Sequence, residues 1–396
     1  MSLKLTSSSS PARRDSGKLQ RRTPPERKPS AGSLGQLAAS DVRQSTVQVA
    51  VRCRPLTEEE EQDGERAVDC DGCIVRVAAD GPAELDGTAA GQLHEFSFDH
   101  VFGPEADQLS VFSACGAPLV AQLFDGFNGS IFAYGQTGSG KTHTIGGSAA
   151  DPGLLYRSVS TVFDLLAGGS ASMQPQVFIP MFPAVGEPIR DLQPPPEQAT
   201  PADLRIVSDA TYGTTVEGLT STTAHTASHV RSLIAQASAT RAADESLPGR
   251  RGTHFFALVT VRSASTETGE SAVGRLTLAD LASPDDDALP AADADDEPHV
   301  PLASLHDCMS TLAKSGGKDG ADFEQSKLTQ LLSDPLNGNC KTMMIVTVSP
   351  TQAAVATSAA ALAFGKKAAT VALGPASKIK ESMQTAMTKV NTTMSA

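Results

Sequence analysis

The eight residues Gly135-Gln-Thr-Gly-Ser-Gly140-Lys141-Thr142 restrict what this chain can fold into more than any other stretch. Three glycines within six positions let the backbone turn tightly enough to aim consecutive N–H groups into one concavity. Lys141 follows at the place from which an ammonium reaches the outer phosphates of a nucleotide, and Thr142 offers a hydroxyl to Mg²⁺. Such a loop works between a strand and a helix, and Gly129-Ser-Ile-Phe-Ala-Tyr134 in front of it reads as a short apolar strand. A merely flexible glycine turn needs neither the lysine nor the strand.

The flanking patterns extend this unit into an α/β domain. Residues 47–51 (V-Q-V-A-V) and 96–102 (F-S-F-D-H-V-F) alternate as strands do, and apolar runs at 254–261, 274–281 and 342–348 predict further buried strands. Helical spacing at 108–123, 228–239 and 302–313 falls between them, the alternation expected of helices packed on a central sheet. Two regions resist this pattern. Residues 180–201 hold seven prolines, which a central strand does not accept, and residues 284–301 hold seven carboxylates with four prolines and read as an acidic loop.

Composition sets the remaining bounds. The 396 residues include 32 basic and 45 acidic side chains, a net charge of −13, and only 4% are aromatic with no tryptophan, so the core must be aliphatic. No stretch approaches the roughly 20 apolar residues a bilayer span needs, and the start of the chain lacks the apolar segment of a secretory signal. A soluble intracellular protein is expected, with no membrane segment and no nucleic-acid partner. The six cysteines read as free thiols, because Cys70 and Cys73 lack a second pair that would complete a zinc site. Residues 1–40 carry eight Lys/Arg against two Asp/Glu, and 1–45 are expected to be a disordered basic arm, either a solvated extension or a weak tether to an acidic polymer.

The octet G-Q-T-G-S-G-K-T preceded by I-F-A-Y resembles the phosphate loop of kinesin motor domains, and further segments of that family recur in order. V-A-V-R-C-R-P at 49–55 is similar to the element that lines the adenine, and F-S-F-D-H-V-F-G-P at 96–104 followed by Gln108 matches another kinesin segment. S-K-L-T-Q-L-L at 326–332, Asn339, K-T-M-M-I-V-T-V-S-P at 341–350 and A-L-A-F-G-K-K-A at 361–368 resemble the closing part of the motor. The resemblance implies a P-loop NTPase-type fold over 46–373, with a mixed eight-stranded sheet flanked by helices, and a short tail over 374–396. By the same resemblance, ATP and Mg²⁺ are the cofactors. Arg52, Arg54 and Pro55 would frame the base, and Gly135, Gln136, Thr137, Gly138, Ser139, Gly140, Lys141, Thr142 and His143 would hold the nucleotide. Lys141 would neutralise the phosphates, and Thr142 with Asp280 would hold the metal. Microtubules are the implied partner and the cytoplasmic cytoskeleton the implied location. A stalk is not recognised, so two-headed walking would need a partner chain or be absent, and the tail offers at most a short amphipathic helix through Ile379, Met383, Met387 and Val390.

The two switches depart from the family pattern. Where kinesins read N-x-x-S-S-R-S-H, this chain reads Leu247-Pro-Gly-Arg250-Arg251-Gly252-Thr253-His254, without the serines that meet phosphate and metal. Where kinesins read D-L-A-G-S-E, it reads Asp280-Leu-Ala-Ser283-Pro284-Asp285: the aspartate remains, a side chain and a proline replace the freely turning pair, and the final carboxylate is one methylene shorter. Glu324 and Gln330 stand where arginines are usual, and the acidic loop falls where basic residues normally face the acidic track. Two readings follow: a divergent kinesin-like protein that binds Mg-ATP and microtubules with weak or vestigial turnover, or a non-motor nucleotide-binding or scaffold module.

Overall fold

The computed structural model describes residues 46–63, 66–78, 93–148, 150–168, 176–184, 189, 191–192, 204–209, 213–220, 222–243, 253–264, 270–285, 302–316, 320–337 and 339–382. The basic arm, residues 247–252 of the first switch, residues 286–301 of the acidic loop and the chain beyond 382 lie outside them.

A mixed sheet flanked by helices forms the centre. Eight of its strands lie in one continuous order: Thr223–Ala224, Gln176–Phe178, His254–Ala264, Glu270–Asp280, Gly129–Tyr134, Lys341–Val348, Gln48–Cys53 and His100–Phe102. Two further strands, Met181–Ala184 and Lys380–Ser382, pair at its sides. From Glu270–Asp280 to His100–Phe102 all neighbours are parallel, and the remaining pairs in that order are antiparallel. All residues of Gly129–Tyr134 and of Lys341–Val348 are buried. Parallel strands covered on both faces read as continuous apolar runs, which is why these two stand out in the sequence. Their side chains alternate between two cores. Ile131 and Ala133 join Val120, Leu155, Val159 and Val230 on one face, while Phe132 and Tyr134 join Leu305, Met309, Leu362 and Phe364 on the other.

Several expected elements take a different form. The run 96–102 is two strands, not one. Leu93–Ser97 pairs in a small three-stranded sheet with Val68–Asp71 and Ile74–Ala78, and His100–Phe102 joins the main sheet. The break falls at Asp99, whose carboxylate accepts the Val49 N–H at 2.8 Å while its own N–H donates to the Val49 carbonyl. The helix expected over 108–123 widens into a π turn over Phe112–Gly116 before continuing as Ala117–Leu123. Pro118 has no N–H to return to the carbonyl four residues earlier, and the wider turn absorbs that missing bond. Within the proline-rich region, Met181–Ala184 is a strand containing Pro183; one side pairs with His254–Ala264, and on the other Met181 O accepts the Leu192 N–H at 3.2 Å and Ala184 bridges Ile189.

Of the short tail helix expected through Ile379, Met383, Met387 and Val390, only Ile379 falls within the described residues, and it is not helical. Ile379 donates its N–H to Gly126 O at 2.8 Å and accepts from Val273 N–H at 3.2 Å, and Lys380–Ser382 pair with Glu270–Ala272. A Cβ on Gly126 would stand 2.8 Å from the Ile379 carbonyl, so glycine there permits the close passage. Among the described residues no helix is long and apolar enough to cross a membrane.

Candidate nucleotide site

The strand Gly129–Tyr134 ends under its neighbours, and the chain must turn at once. Gly135 does so at φ 155°, where an added Cβ would lie 2.2 Å from the Thr347 carbonyl oxygen and 2.8 Å from Ser139 Oγ. Glycine is required there for space as well as conformation. Gly138 and Gly140 adopt φ 75° and 105°, and a Cβ on either would meet nothing nearer than Arg54 Cβ at 4.0 Å, which leaves the outer side of the loop open. The loop is braced from beneath by Ser139, whose hydroxyl bonds Gln136 O and Thr347 Oγ1, each at 2.7 Å. The Gln136 side chain accepts a hydrogen bond from Thr357.

Parallel register decides what stands beside the loop. Asp280 is level with Ala133 across the pair of strands, and Leu281 N–H extends the ladder to Ala133 O at 3.2 Å. The carboxylate of Asp280, 4% exposed, accepts from the Thr142 hydroxyl at 2.6 Å. Lys141 Nζ donates to Gly135 O at 2.7 Å, to Gln136 O at 3.0 Å and to Ser283 Oγ at 2.6 Å. Asp285 reaches the loop as well, its Oδ2 accepting the Thr137 N–H at 2.9 Å. Thus Lys141, Thr142 and Asp280 are gathered at one spot. Ser283 and Asp285, two of the second-switch residues that depart from the kinesin pattern, touch the same loop.

On the other side of the loop a cleft opens between Arg54, Pro55, Pro104, Asp107, Gly140 and His143. Arg54 closes its wall. Its Nε donates to Gly138 O at 2.8 Å, its two terminal nitrogens grip the Glu60 carboxylate at 2.6 Å each, and Nη2 also reaches Ser349 Oγ at 3.0 Å. The bidentate pairing with Arg54 holds the Glu60 carboxyl down at about 2. Arg52 lines the cleft from below, buried, with Nη1 bonded to Gln108 Oε1 at 2.7 Å and Thr144 Oγ1 at 3.1 Å. Gln108 in turn donates to His143 O at 2.7 Å, so Arg52 and Gln108 tie the first strand to the helix that follows the loop. Burial, and then the Arg52 charge, push the His143 imidazole below its usual range, so a neutral ring flanks the cleft at neutral pH.

His254, the residue of the first switch that matches the family pattern, sits below the site. It is 3% exposed, and its Nδ1 accepts the Ala282 N–H at 2.9 Å. It orders the peptide between Asp280 and Ser283. The roles of Glu60, Gln108 and His254 are not apparent from spacing. Glu60 stands in a run of four glutamates that reads as solvated surface, and Gln108 is marked only by the kinesin resemblance.

A glycine loop closing on a lysine, with a threonine hydroxyl bonded to an aspartate at the end of the adjacent parallel strand, is the geometry of a P-loop nucleotide site. Residues 52–371 match the model of the kinesin motor domain family. The chain belongs to the kinesin motor domain family. It is 31% identical over 347 residues to kinesin-like protein KIN-14J of Oryza sativa subsp. japonica, covering 86% of this chain and 40% of that protein. It is 28% identical over 342 residues to kinesin heavy chain isoform 5C of Homo sapiens, covering 84% of this chain and 34% of that one. This kinesin domain therefore spans well under half the length of the curated relatives it matches. Among solved structures, that of a fast kinesin superposes with a TM-score of 0.74 at 26% identity, covering 86% of this chain and 96% of that one. A KIF14 dimer in its two-heads-bound state, with AMP-PNP and in complex with a microtubule, gives 0.71 at 25% identity, covering 88% and 99%.

Proposed function

We propose that this domain binds Mg-ATP in the loop 135–142 and docks on microtubules, and that it turns ATP over slowly. The observation that carries the reading is the 2.6 Å bond between Thr142 Oγ1 and Asp280 Oδ2 beside the buried ammonium of Lys141. Hydroxyl and carboxylate oxygens are the hard donors Mg²⁺ takes, so the residues present fit that ion. When bound, Mg²⁺ would neutralise charge on the phosphates. Lys141 supplies a fixed positive charge, and main-chain amides of the loop would supply directional donors, although the Ser139 N–H is bonded to Gln136 O. Arg54, Pro55 and the neutral His143 would bound the base, with Arg52 and Gln108 holding that wall from behind.

Slow turnover is inferred from the second switch. Hydrolysis requires a loop that orders water against the terminal phosphate, yet Pro284 has no N–H to offer and Ser283 carries a side chain where the family has glycine. Track binding is supported by the likeness to a kinesin seen on a microtubule. Lys327 and Lys314 are candidate contacts to the acidic track, while Glu324 and Gln330, at positions usually basic, weaken the attraction. A cytoskeletal location in the cytoplasm follows from that partner, and two-headed walking would require a partner chain. The contacts of Ser283 and Asp285 with the loop favour the second reading, a domain that binds nucleotide without moving. ATPase activity measured with and without microtubules, with Lys141→Ala as control, separates the two. Stimulation by microtubules that the substitution abolishes supports a motor. Unstimulated background turnover, with nucleotide binding intact, supports the non-motor module.

A further inference from the structure

The register that sets Asp280 beside the loop also carries the residues after it to the loop's mouth. Leu281 and Ala282 are buried and pinned by main-chain bonds to Ala133 O and His254 Nδ1, so Ser283 leaves the sheet in a fixed direction. Its hydroxyl meets Lys141 Nζ at 2.6 Å. Two residues on, beyond Pro284, the exposed Asp285 places a carboxylate oxygen 2.9 Å from the Thr137 N–H. An ammonium and a loop amide are the donors that the outer phosphates of a nucleotide use in such a site. Here both already hold oxygen from the chain itself, and one of those oxygens carries negative charge.

We propose that Asp285, assisted by Ser283, is a specificity-determining residue: an internal anion seated at the outer end of the phosphate loop that disfavours a terminal phosphate and so makes the site select a nucleoside diphosphate over a triphosphate. The inference rests on the nucleotide site proposed above. A diphosphate occupies the inner part of the loop and leaves Asp285 on Thr137. A triphosphate brings a second anion toward the same donors, so the carboxylate must leave its amide or face a like charge at close range. Ser283 adds a smaller effect, because a hydroxyl can be displaced from Lys141 without leaving a charge behind. The sequence hints at this only as a departure from pattern: aspartate is one methylene shorter than the glutamate usual there, and the proline before it restricts where that carboxylate can go.

The test is calorimetric titration of the full chain with Mg-ADP and with the non-hydrolysable β,γ-imido analogue of Mg-ATP, for the wild type, Asp285→Asn, Asp285→Ala and Ser283→Gly. The wild type is expected to bind ADP at least about tenfold more tightly than the analogue. Both Asp285 substitutions should shrink that ratio about tenfold through tighter analogue binding, and Ser283→Gly should shrink it less. Asp285 is exposed, so its substitution leaves the core intact, and an unchanged far-UV circular dichroism spectrum and melting temperature in each variant confirm folding. A wild type that binds both nucleotides equally, or an unchanged ratio in both Asp285 variants, overturns the proposal. Absence of binding by every protein overturns the nucleotide site itself, whereas analogue binding that appears only on removing the Asp285 charge supports the proposal.

Discussion

Replacing Gly135 by alanine probes why the phosphate loop has its shape. At φ 155° the backbone conformation disfavours an L side chain by roughly 1–2 kcal/mol. The new methyl would also stand 2.2 Å from the Thr347 carbonyl and 2.6 Å from its hydroxyl, backbone and buried side chain that cannot retreat without breaking the strand Lys341–Val348. Overpacking of this kind costs about 1–3 kcal/mol, and losing the Ser139–Thr347 bond costs about 1 kcal/mol more. A total of about 3–6 kcal/mol is expected from these effects. Gly138→Ala is the matched control, because a Cβ there meets nothing within 4 Å and only the φ of 75° opposes it, a penalty of about 1 kcal/mol. Urea denaturation followed by circular dichroism reads both. Gly135→Ala should lower the midpoint far more than Gly138→Ala, and equal losses would refute the argument that close approach to Thr347, rather than glycine's flexibility, selects the residue.

Other outcomes follow from the bracing around the site. The Glu60 carboxyl is held near 2 in the folded chain against 4.5 without its partner, so its contribution to stability is present above about 4.5 and is lost as pH falls toward 2. The melting temperatures of wild type and Glu60→Gln should converge on acidification through that window, and a gap that stays constant would mean the Arg54 clamp contributes nothing. His254→Ala leaves the buried Ala282 N–H without its acceptor and opens space beneath the second switch; a loss of about 2–4 kcal/mol in denaturant is expected, and a loss under about 0.5 would contradict it. Gln108→Leu strips the buried Arg52 guanidinium of one acceptor and should cost about 2–3 kcal/mol, with faster amide exchange in the helix after the loop as its local signature.

How much of this was visible beforehand depends on whether a feature is local. The phosphate loop was legible because glycine positions, lysine and threonine are all set by one short turn. The strands at 129–134 and 342–348 were legible because burial on both faces writes an uninterrupted apolar run. Residues 96–102 misled for the opposite reason. Their alternation continues through Asp99, but the break there is made by Val49, fifty positions earlier, and leaves no local mark. The docked strand at 380–382 uses main-chain bonds to Glu270–Ala272, which need no apolar pattern. Ser283 and Asp285 could be flagged as departures, yet their contacts with Lys141 and Thr137 depend on the parallel register of Glu270–Asp280 against Gly129–Tyr134. The Arg54–Glu60 clamp lies only six residues apart; the capping-box spacing Thr57-x-x-Glu60 singles out this glutamate among four, but nothing local says that Arg54 reaches back to it.

The central claim is that the loop 135–142 grips nucleotide phosphates through Lys141 and a metal through Thr142 and Asp280. Titration of the wild type and Lys141→Ala with Mg-ADP tests it most directly. Saturable binding by the wild type, weakened at least about tenfold by loss of the ammonium, is the expected result. No binding by the wild type, or equal affinity in the two proteins, would contradict the account.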